Sequence, residues 1–492
     1  MSRYGYFEGV AMHQLRDYQI KFVDDIRSAM RTNKRIIAVA PTGSGKTLTF
    51  TSMAIEAAKR GHRVLITTHR REIQRQTVRK LYELGEVVGQ IASGVPMMQS
   101  YPIQVGMIGT LPNRLHLVHK PSMIIVDESH HILASSWKRV LEYWGDVPAI
   151  GFTATPIRLD GRGLGTDGLF TKIVEGPSIR WLVKNGYLSM PIVYRHPNEI
   201  QANFKIKGGD YDTKEQEVVF SRGTVLGDVL EHYKKHLNGK PTVAFCSTVE
   251  HSKLVADMFN QAGYKAEAVY GNMGDKERDN AIAGLADGRV QIITSCDVIS
   301  EGMDVPGIVG CILLRRTLSL SLFLQQCGRA LRLAPGKTHA IILDHAGNYK
   351  IHGSVLSERE WTLEGRKKEK KAEPKMTECP VCYAIWEGTV QKCVSCGYDF
   401  PKIELPKKDH KFTMIQGELV TEFPDLDDDL LIKTAEILAG NVDNKTNALW
   451  SMAHRLAPQG EEGRIKLDKV RKAMGYSENW TKVVWNKVRK NS

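Results

Sequence analysis

The run Ala40-Pro-Thr-Gly-Ser-Gly-Lys-Thr47 leaves few folds open to this chain, because it is entered from the apolar stretch Ile36-Ile-Ala-Val-Ala40 and left through a helix-length segment, Leu48 to Arg60. Strand, glycine-rich turn and helix in that order form one βα unit. Thr42, Gly43, Ser44 and Gly45 are small enough for backbone N–H groups to turn inward around phosphate oxygens. Lys46 can then reach the β/γ oxygens, and Thr47 can hold Mg²⁺. Ala40 replaces the usual first glycine, a small departure. The plain alternative is a glycine-rich surface turn, and the flanking strand and helix argue against it.

Two further runs belong to the same chemistry. Met123-Ile-Ile-Val-Asp-Glu-Ser-His-His131 is an apolar strand ending in two acids. Asp127 at the strand tip can complete the Mg²⁺ shell, while Glu128 can orient and deprotonate an attacking water. Far downstream, Gln325-Gln-Cys-Gly-Arg-Ala-Leu-Arg332 offers Arg329 and Arg332 at a spacing suited to neutralising charge on a transferred phosphoryl group. The separation is too great for one small domain, so the reading is an ATP site shared by two domains. His130 either relays between the site and the neighbouring domain or is a hydrogen-bonded structural histidine.

Ordered motifs across most of residues 15–353 resemble the superfamily 2 helicases and translocases. In Leu15-Arg16-Asp17-Tyr18-Gln19, the resemblance implies that Arg16 and Gln19 bind ATP, Gln19 reading the adenine edge. Thr67-Thr-His-Arg-Arg71 and Gly109-Thr110 match strand-tracking motifs, implying nucleic-acid contacts at His69, Arg70, Gly109 and Thr110. Phe152-Thr-Ala-Thr-Pro156 resembles the coupling motif, with His130, Thr153 and Thr155 linking hydrolysis to domain movement. Phe245-Cys-Ser-Thr248 implies a contact at Ser247, and Ser300-Glu-Gly-Met-Asp304 implies that Gly302 and Asp304 hold nucleotide. Cys296 stands where many relatives place a threonine near the strand, so no contact is assigned there.

The finer resemblance is to RadD-like DNA-repair helicases and related phage DEAD/DEAH-box helicases. It is carried by Pro156-Ile-Arg-Leu-Asp-Gly-Arg-Gly-Leu-Gly165, Asn185-Gly-Tyr-Leu188, Leu343-Asp-His-Ala-Gly-Asn348 and a cysteine-rich segment after the motor. The resemblance implies two tandem RecA-like parallel-sheet domains and ATP-dependent movement along, or remodelling of, DNA. Single-stranded or branched duplex DNA would be the partner, with replication or recombination proteins beside it. Because backbone tracking does not tell the two sugars apart, an RNA helicase is the alternative within the same class. A catalytically silent nucleic-acid-binding scaffold is the alternative outside it.

A formal net charge of +13 favours a polyanionic partner. No apolar stretch approaches the ~20 residues a membrane helix needs, and Met1 to Val10 lacks a signal-peptide core. A soluble cytoplasmic protein of a bacterial or phage-infected cell, without a membrane partner, is the expectation. Cys379, Cys382, Cys393 and Cys396 form two Cys-x-x-Cys pairs that can close a tetrahedron around a structural Zn²⁺, with an iron centre or unmetallated thiols as the alternatives. Cys246, Cys296, Cys311 and Cys327 read as free buried thiols.

Strands are expected at Ile36–Ala40, Val64–Thr68, Gln104–Ile108, Met123–Val126 and Ala149–Phe152. The rhythm repeats at Thr242–Ser247, Ala266–Tyr270, Gln291–Ser295, Ile308–Leu314 and Ala340–Leu343. The expected fold class is therefore α/β, with these domains: an ATP-binding domain over 1–190, a connection over 191–235 and a second motor domain over 236–362. A charged linker over 363–376, a zinc-ribbon-like module over 377–402 and a basic, mainly helical region over 403–492 follow. In the last region Trp480 and Trp485 either stack on exposed bases or pack a small helical core. Every expected catalytic residue lies upstream of Ala372, so a chain ending there is expected to keep the motor fold.

Overall fold

The computed structural model describes residues 15–131, 135–158, 161–165, 168–195, 202–299 and 307–365. Beyond these it describes 376–378, 385–387, 420–422, 432, 453, 456, 460–475, 481 and 484–485. The first unit runs α1 (Asp17–Met30), β1 (Arg35–Val39), α2 (Lys46–Lys59), β2 (Val64–Thr68), α3 (Arg71–Glu83), β3 (Gly89–Ile91), β4 (Ile103–Met107), β5 (Met123–Asp127), α4 (Ser135–Tyr143), β6 (Ala149–Thr153) and β7 (Lys172–Glu175). Its seven strands form a parallel sheet in the order β3-β4-β2-β5-β6-β1-β7. Parallel strands need crossovers, and the helices between them cover both faces. The interior strands are accordingly apolar along their length: Ile36, Ile37, Ala38, Ile124, Ile125, Ile150 and Phe152 are fully buried.

A short helix, α5 (Ile179–Lys184), leads into the second unit. That unit comprises β8 (Met190–Arg195), the hairpin β9 (Ile206–Lys207) and β10 (Asp210–Tyr211), α6 (Thr213–Phe220), α7 (Gly223–His236), β11 (Thr242–Phe245), α8 (Val249–Gln261), β12 (Ala266–Val269), α9 (Asp275–Asp287), β13 (Ile292–Ser295), β14 (Gly310–Leu313), α10 (Leu320–Leu331), β15 (His339–Asp344) and α11 (Asn348–His352). The second sheet has the order β12-β13-β11-β14-β15-β8-β18, where β18 is Val420–Glu422. All its pairings are parallel except β18 on β8. Each of the ten expected strands has a counterpart in one of the two sheets, with bounds shifted by a residue or two.

Three features depart from the expected organisation. First, β8 lies, all but its first residue, within the segment read as connection, yet it pairs along its whole length with β15, from Met190↔His339 to Arg195↔Asp344. Second, the start of the charged linker is tied to the first unit. Leu363 packs under the first sheet, and Gly163 and Gly165 donate backbone hydrogen bonds of 2.9 Å to the Glu364 and Leu363 carbonyls. Third, the region after the motor contributes to the second unit. The strand β18 joins its sheet edge, and Ala453, Leu456, Leu467, Val470, Val484 and Trp485 are buried in its core. Leu467 and Val470 come from α12 (Gly460–Ala473). A chain ending near Ala372, expected to keep the motor fold, would lose these contacts with the second core. Trp485 is 4% exposed, so it packs the core and offers no face to a base; Trp480 lies outside the described residues.

The hairpin of β16 (Met376–Glu378) and β17 (Ile385–Glu387) brackets Cys379 and Cys382 in sequence. All four expected zinc ligands lie outside the described residues. Cys246, Cys311 and Cys327 are buried free thiols and Cys296 is half-buried. Among the described residues, no helix is long and apolar enough to cross a membrane.

Candidate active site

The loop between β1 and α2 takes its shape from two glycines in the left-handed region, Gly43 at φ +86° and Gly45 at φ +80°. A side chain there would be strained, and there is no room for one. A Cβ at Gly45 would come within 2.4 Å of Gln19 Nε2, and one at Gly43 within 2.8 Å of Leu188 Cδ2. Gly45 is the N-cap of α2, so Lys46 and Thr47 occupy the first helical turn, where free N–H groups suit anions. The loop is also propped from behind: the Ser44 carbonyl accepts from Gln19 Nε2 at 3.0 Å and from the Tyr18 hydroxyl at 2.9 Å. Gln19 Oε1 accepts from the Arg16 backbone N–H at 2.9 Å. Gln19 is thus a buried brace between the start of α1 and the phosphate loop, while the Arg16 guanidinium lies 5.0 Å from the Tyr187 ring centroid.

Thr42, Gly43, Gly45, Lys46, Thr47, Asp127, Glu128, Arg329 and Arg332 line one cavity of about 640 Å³, closed on a further side by α3. The strand β5 delivers Asp127 to its C-terminal end, where open α/β sheets place their ligands. Glu128, the next residue, sits at φ +50°, a conformation that costs a non-glycine residue energy and that the surrounding contacts hold in place. Its N–H donates to Asp127 Oδ1 at 3.0 Å. His130 Nδ1 is 3.3 Å from Glu128 Oε2 and 3.2 Å from Thr153 Oγ1. Thr153 Oγ1 donates to the Thr155 carbonyl at 2.9 Å, so toward His130 it acts as acceptor and His130 Nδ1 carries the proton. The Thr155 N–H returns to Thr153 Oγ1 at 3.1 Å. His130 thus stands between the Glu128 carboxylate, close by but not hydrogen-bonded to it through Oε2, and the hydrogen-bonded end of β6.

Arg329 lies in the last turn of α10 and is 5% exposed; Arg332 is the C-cap residue of the same helix. Five cationic side chains, Lys46, Arg79, Lys80, Arg329 and Arg332, and three carboxylates, Glu83, Asp127 and Glu128, line the cavity. Burial first, and then the neighbouring Glu128, push the Asp127 carboxyl up to about 7. Burial likewise lowers the Lys46 ammonium, opposed by the two acids and reinforced by the two arginines. A polyphosphate and a divalent cation are charges of the kind that would offset both shifts. Asp127 and Thr47 both line this cavity, and their side chains carry oxygen donors of the kind Mg²⁺ takes.

The other expected positions are dispersed. His69 and Arg70 follow β2, and Arg70 Nη1 donates to the Asp297 carbonyl of the second unit at 3.1 Å. Gly109 is exposed and Thr110 half-buried beyond β4. Ser247 is 2% exposed, with its Oγ 3.0 Å from His251 Nδ1, so it faces inward. Burial pushes His251 down to about 4 and keeps that ring neutral. Gly302 and Asp304 lie outside the described residues.

Sequence reading did not find the contacts that join the two units. Arg278 on α9 pairs with Glu72 on α3 at 2.8 Å and with Asp275 at 2.7 Å, while Arg75 pairs with Asp275 at 2.8 Å. Arg278 is buried, but its sequence context is an ordinary charged helix, and partners two hundred residues away leave no local signal.

Residues 12–158 match the family model "Type III restriction enzyme, res subunit", and residues 224–334 match "Helicase conserved C-terminal domain". A 51.5 kDa protein of Lactococcus phage (isolate 7-9) is 35% identical over 73% of this chain and 77% of its own length. A Schizosaccharomyces pombe protein, named among mitochondrial ATP-dependent helicases, is 31% identical over 67% of this chain. The chain spans 57% of that protein's length. Among solved structures, a fragment named for the HsdR subunit of a type I restriction enzyme from Vibrio vulnificus superposes with a TM-score of 0.56 at 20% identity, covering 70% of this chain and 68% of the fragment. That likeness shows the paired α/β fold.

Proposed function

We propose DNA as the track of this chain, which belongs to the superfamily 2 helicases and is a nucleic-acid-dependent ATPase. The observation that carries the mechanism is the shared cavity, where Lys46 and the acidic pair of one unit meet Arg329 and Arg332 of the other. ATP with Mg²⁺ would bind the loop through Thr42–Thr47, and Glu128 would take a proton from the attacking water. Arg329 and Arg332 would neutralise the developing charge. Because the arginines belong to the second unit, closing the cleft completes the site and product release opens it. The series Glu128–His130–Thr153–Thr155 would carry the state of the phosphate end to the edge of the first sheet.

Support for DNA comes from the restriction-enzyme description of the first family model and from the resemblance to RadD-like repair helicases. The charge balance of +13 suits either nucleic acid. Repair, recombination or replication is the corresponding setting. ATP hydrolysis measured with single-stranded DNA, duplex DNA and RNA added in turn tests the reading. Stimulation by DNA is expected, stimulation by RNA alone would make the chain an RNA helicase, and no hydrolysis would make it a silent scaffold. The four-cysteine segment would carry one structural Zn²⁺, and metal analysis of the purified chain with Cys379→Ser and Cys382→Ser together checks this.

A further inference from the structure

The two arginines reach the phosphate cradle from the very end of α10, where a helix has lost its own hydrogen bonding and its direction is poorly held. Here that end is tied down foremost by the side chain of Lys337. Lys337 Nζ donates to the Ile308 carbonyl at 2.7 Å, to the Arg332 carbonyl at 2.7 Å and to the Ala330 carbonyl. An ammonium has three N–H donors, and all three are spent on backbone oxygens. Two of those oxygens belong to the last turn and cap of α10, where a positive charge also complements the helix dipole. The third lies just ahead of β14, in the body of the second unit.

The chain is shaped to bring Lys337 there. Ala334-Pro-Gly-Lys337 closes a turn, with the Lys337 N–H on the Ala334 carbonyl at 3.1 Å and Gly336 at φ +71°. Proline at the second position and a left-handed glycine at the third favour this reversal. It carries the lysine stem back over the helix end it has just left. The Leu331 carbonyl is met separately by the Ser189 N–H at 2.7 Å, and the Ser189 hydroxyl lies 3.4 Å from the Arg332 carbonyl. Lys337 does not line the ATP cavity, whereas Arg332 does.

We infer that Lys337 is a positioning residue for hydrolysis: by clamping the C-terminal end of α10 it sets the direction in which Arg332 enters the phosphate site. This rests on the proposed role of Arg332. Burial first, and then the Arg332 charge, push the Lys337 ammonium down to about 7. Holding a cation at that place is costly, and three short carbonyl contacts offset the cost.

The test is a double-mutant cycle on ATP turnover of the full-length chain with saturating nucleic acid: wild type, Lys337→Met, Arg332→Ala and the pair. Methionine keeps the stem and removes the donors. In Lys337→Met, kcat should fall about tenfold or more with KM for ATP changed less than about threefold, the pattern of a contact realised in the transition state. On top of Arg332→Ala the same substitution should cost less than about twofold, because the residue it positions is gone. Full turnover in Lys337→Met, or an equally large loss in both backgrounds, overturns the inference. If Arg332→Ala itself turns over normally, the site assignment fails instead. Lys337→Gln, which keeps two donors, serves in the same cycle should the methionine variant melt below assay temperature, and its loss should be smaller and equally confined to kcat.

Discussion

Gly328 of α10 faces Thr42 of the phosphate loop so closely that a Cβ at 328 would stand 2.7 Å from the Thr42 Cβ. The contact crosses the cleft between the two units, next to Arg329 in the chain and one turn before Arg332. The absence of a side chain at 328 is what lets the helix end reach the cradle, and the same approach brings the Arg332 stem within 3.6 Å of where a Gly43 Cβ would lie. Glycine in a helix interior is locally unfavourable, so its place here is explained by the neighbour it admits.

Gly328→Ala should therefore leave the melting temperature nearly unchanged, since alanine favours the helix by roughly 1 kcal/mol. Hydrolysis should nevertheless drop, because α10 must retreat from Thr42 and take both arginines with it. Misplacement of about 1 Å can cost on the order of 10² in rate. Steady-state ATPase beside a melting curve checks this, and wild-type kcat in the alanine variant would mean that the close approach is dispensable.

Glu128→Gln should retain ATP binding while turnover falls by roughly 10²–10⁴, the usual worth of a general base. The substitution keeps the shape and the strained backbone position but removes the proton acceptor. Lys46→Ala, by contrast, should weaken binding and hydrolysis together. Nucleotide binding by equilibrium titration alongside single-turnover hydrolysis separates the two patterns. Parallel loss of both in Glu128→Gln would assign the carboxylate to binding.

The pair Glu72–Arg278 joins α3 to α9 across the cleft at 2.8 Å, with the arginine buried. Removing one partner of a buried pair costs more than removing both, because the remaining charge stays desolvated. Glu72→Arg alone should lower ATP turnover several-fold by pushing the units apart, and adding Arg278→Glu should restore part of it. No recovery in the exchanged pair would show that the contact does not govern closure.

The legible parts of this fold were those with local signatures. The phosphate loop, the acidic strand end and the alternating apolar runs carry their meaning within ten residues, so both sheets could be anticipated. Gln19 was read as a nucleotide contact, and its role as a brace was not foreseen, because its partner, the Ser44 carbonyl, is a backbone atom with no sequence signal. The positive φ of Glu128 was invisible for a similar reason: nothing in Val-Asp-Glu-Ser announces a left-handed residue where glycine is absent. Contacts between distant surfaces, such as Gly328 with Thr42, depend on how two sheets approach. The strand β18 is only three residues long, too short for any periodic pattern.

The contribution of the C-terminal region to the second core leads to a last expectation. Trp485 and Val484 are buried beside Leu467 and Val470 in the cluster that also holds Phe323 and Cys327 of α10. Trp485→Ala should then destabilise the second unit by roughly 3–5 kcal/mol, the cost of a large cavity in a core. Nucleic-acid affinity at a temperature where the variant is folded should stay close to wild type, since a buried ring stacks on no base. Truncation at Ala372 should act in the same direction and more strongly, because it also removes β18 from the edge of β8 and exposes that strand's unpaired backbone. Thermal unfolding of the two variants, with fluorescence-detected binding to a single-stranded oligonucleotide, distinguishes the roles. Unchanged stability with weakened binding in Trp485→Ala would return this tryptophan to the nucleic-acid surface.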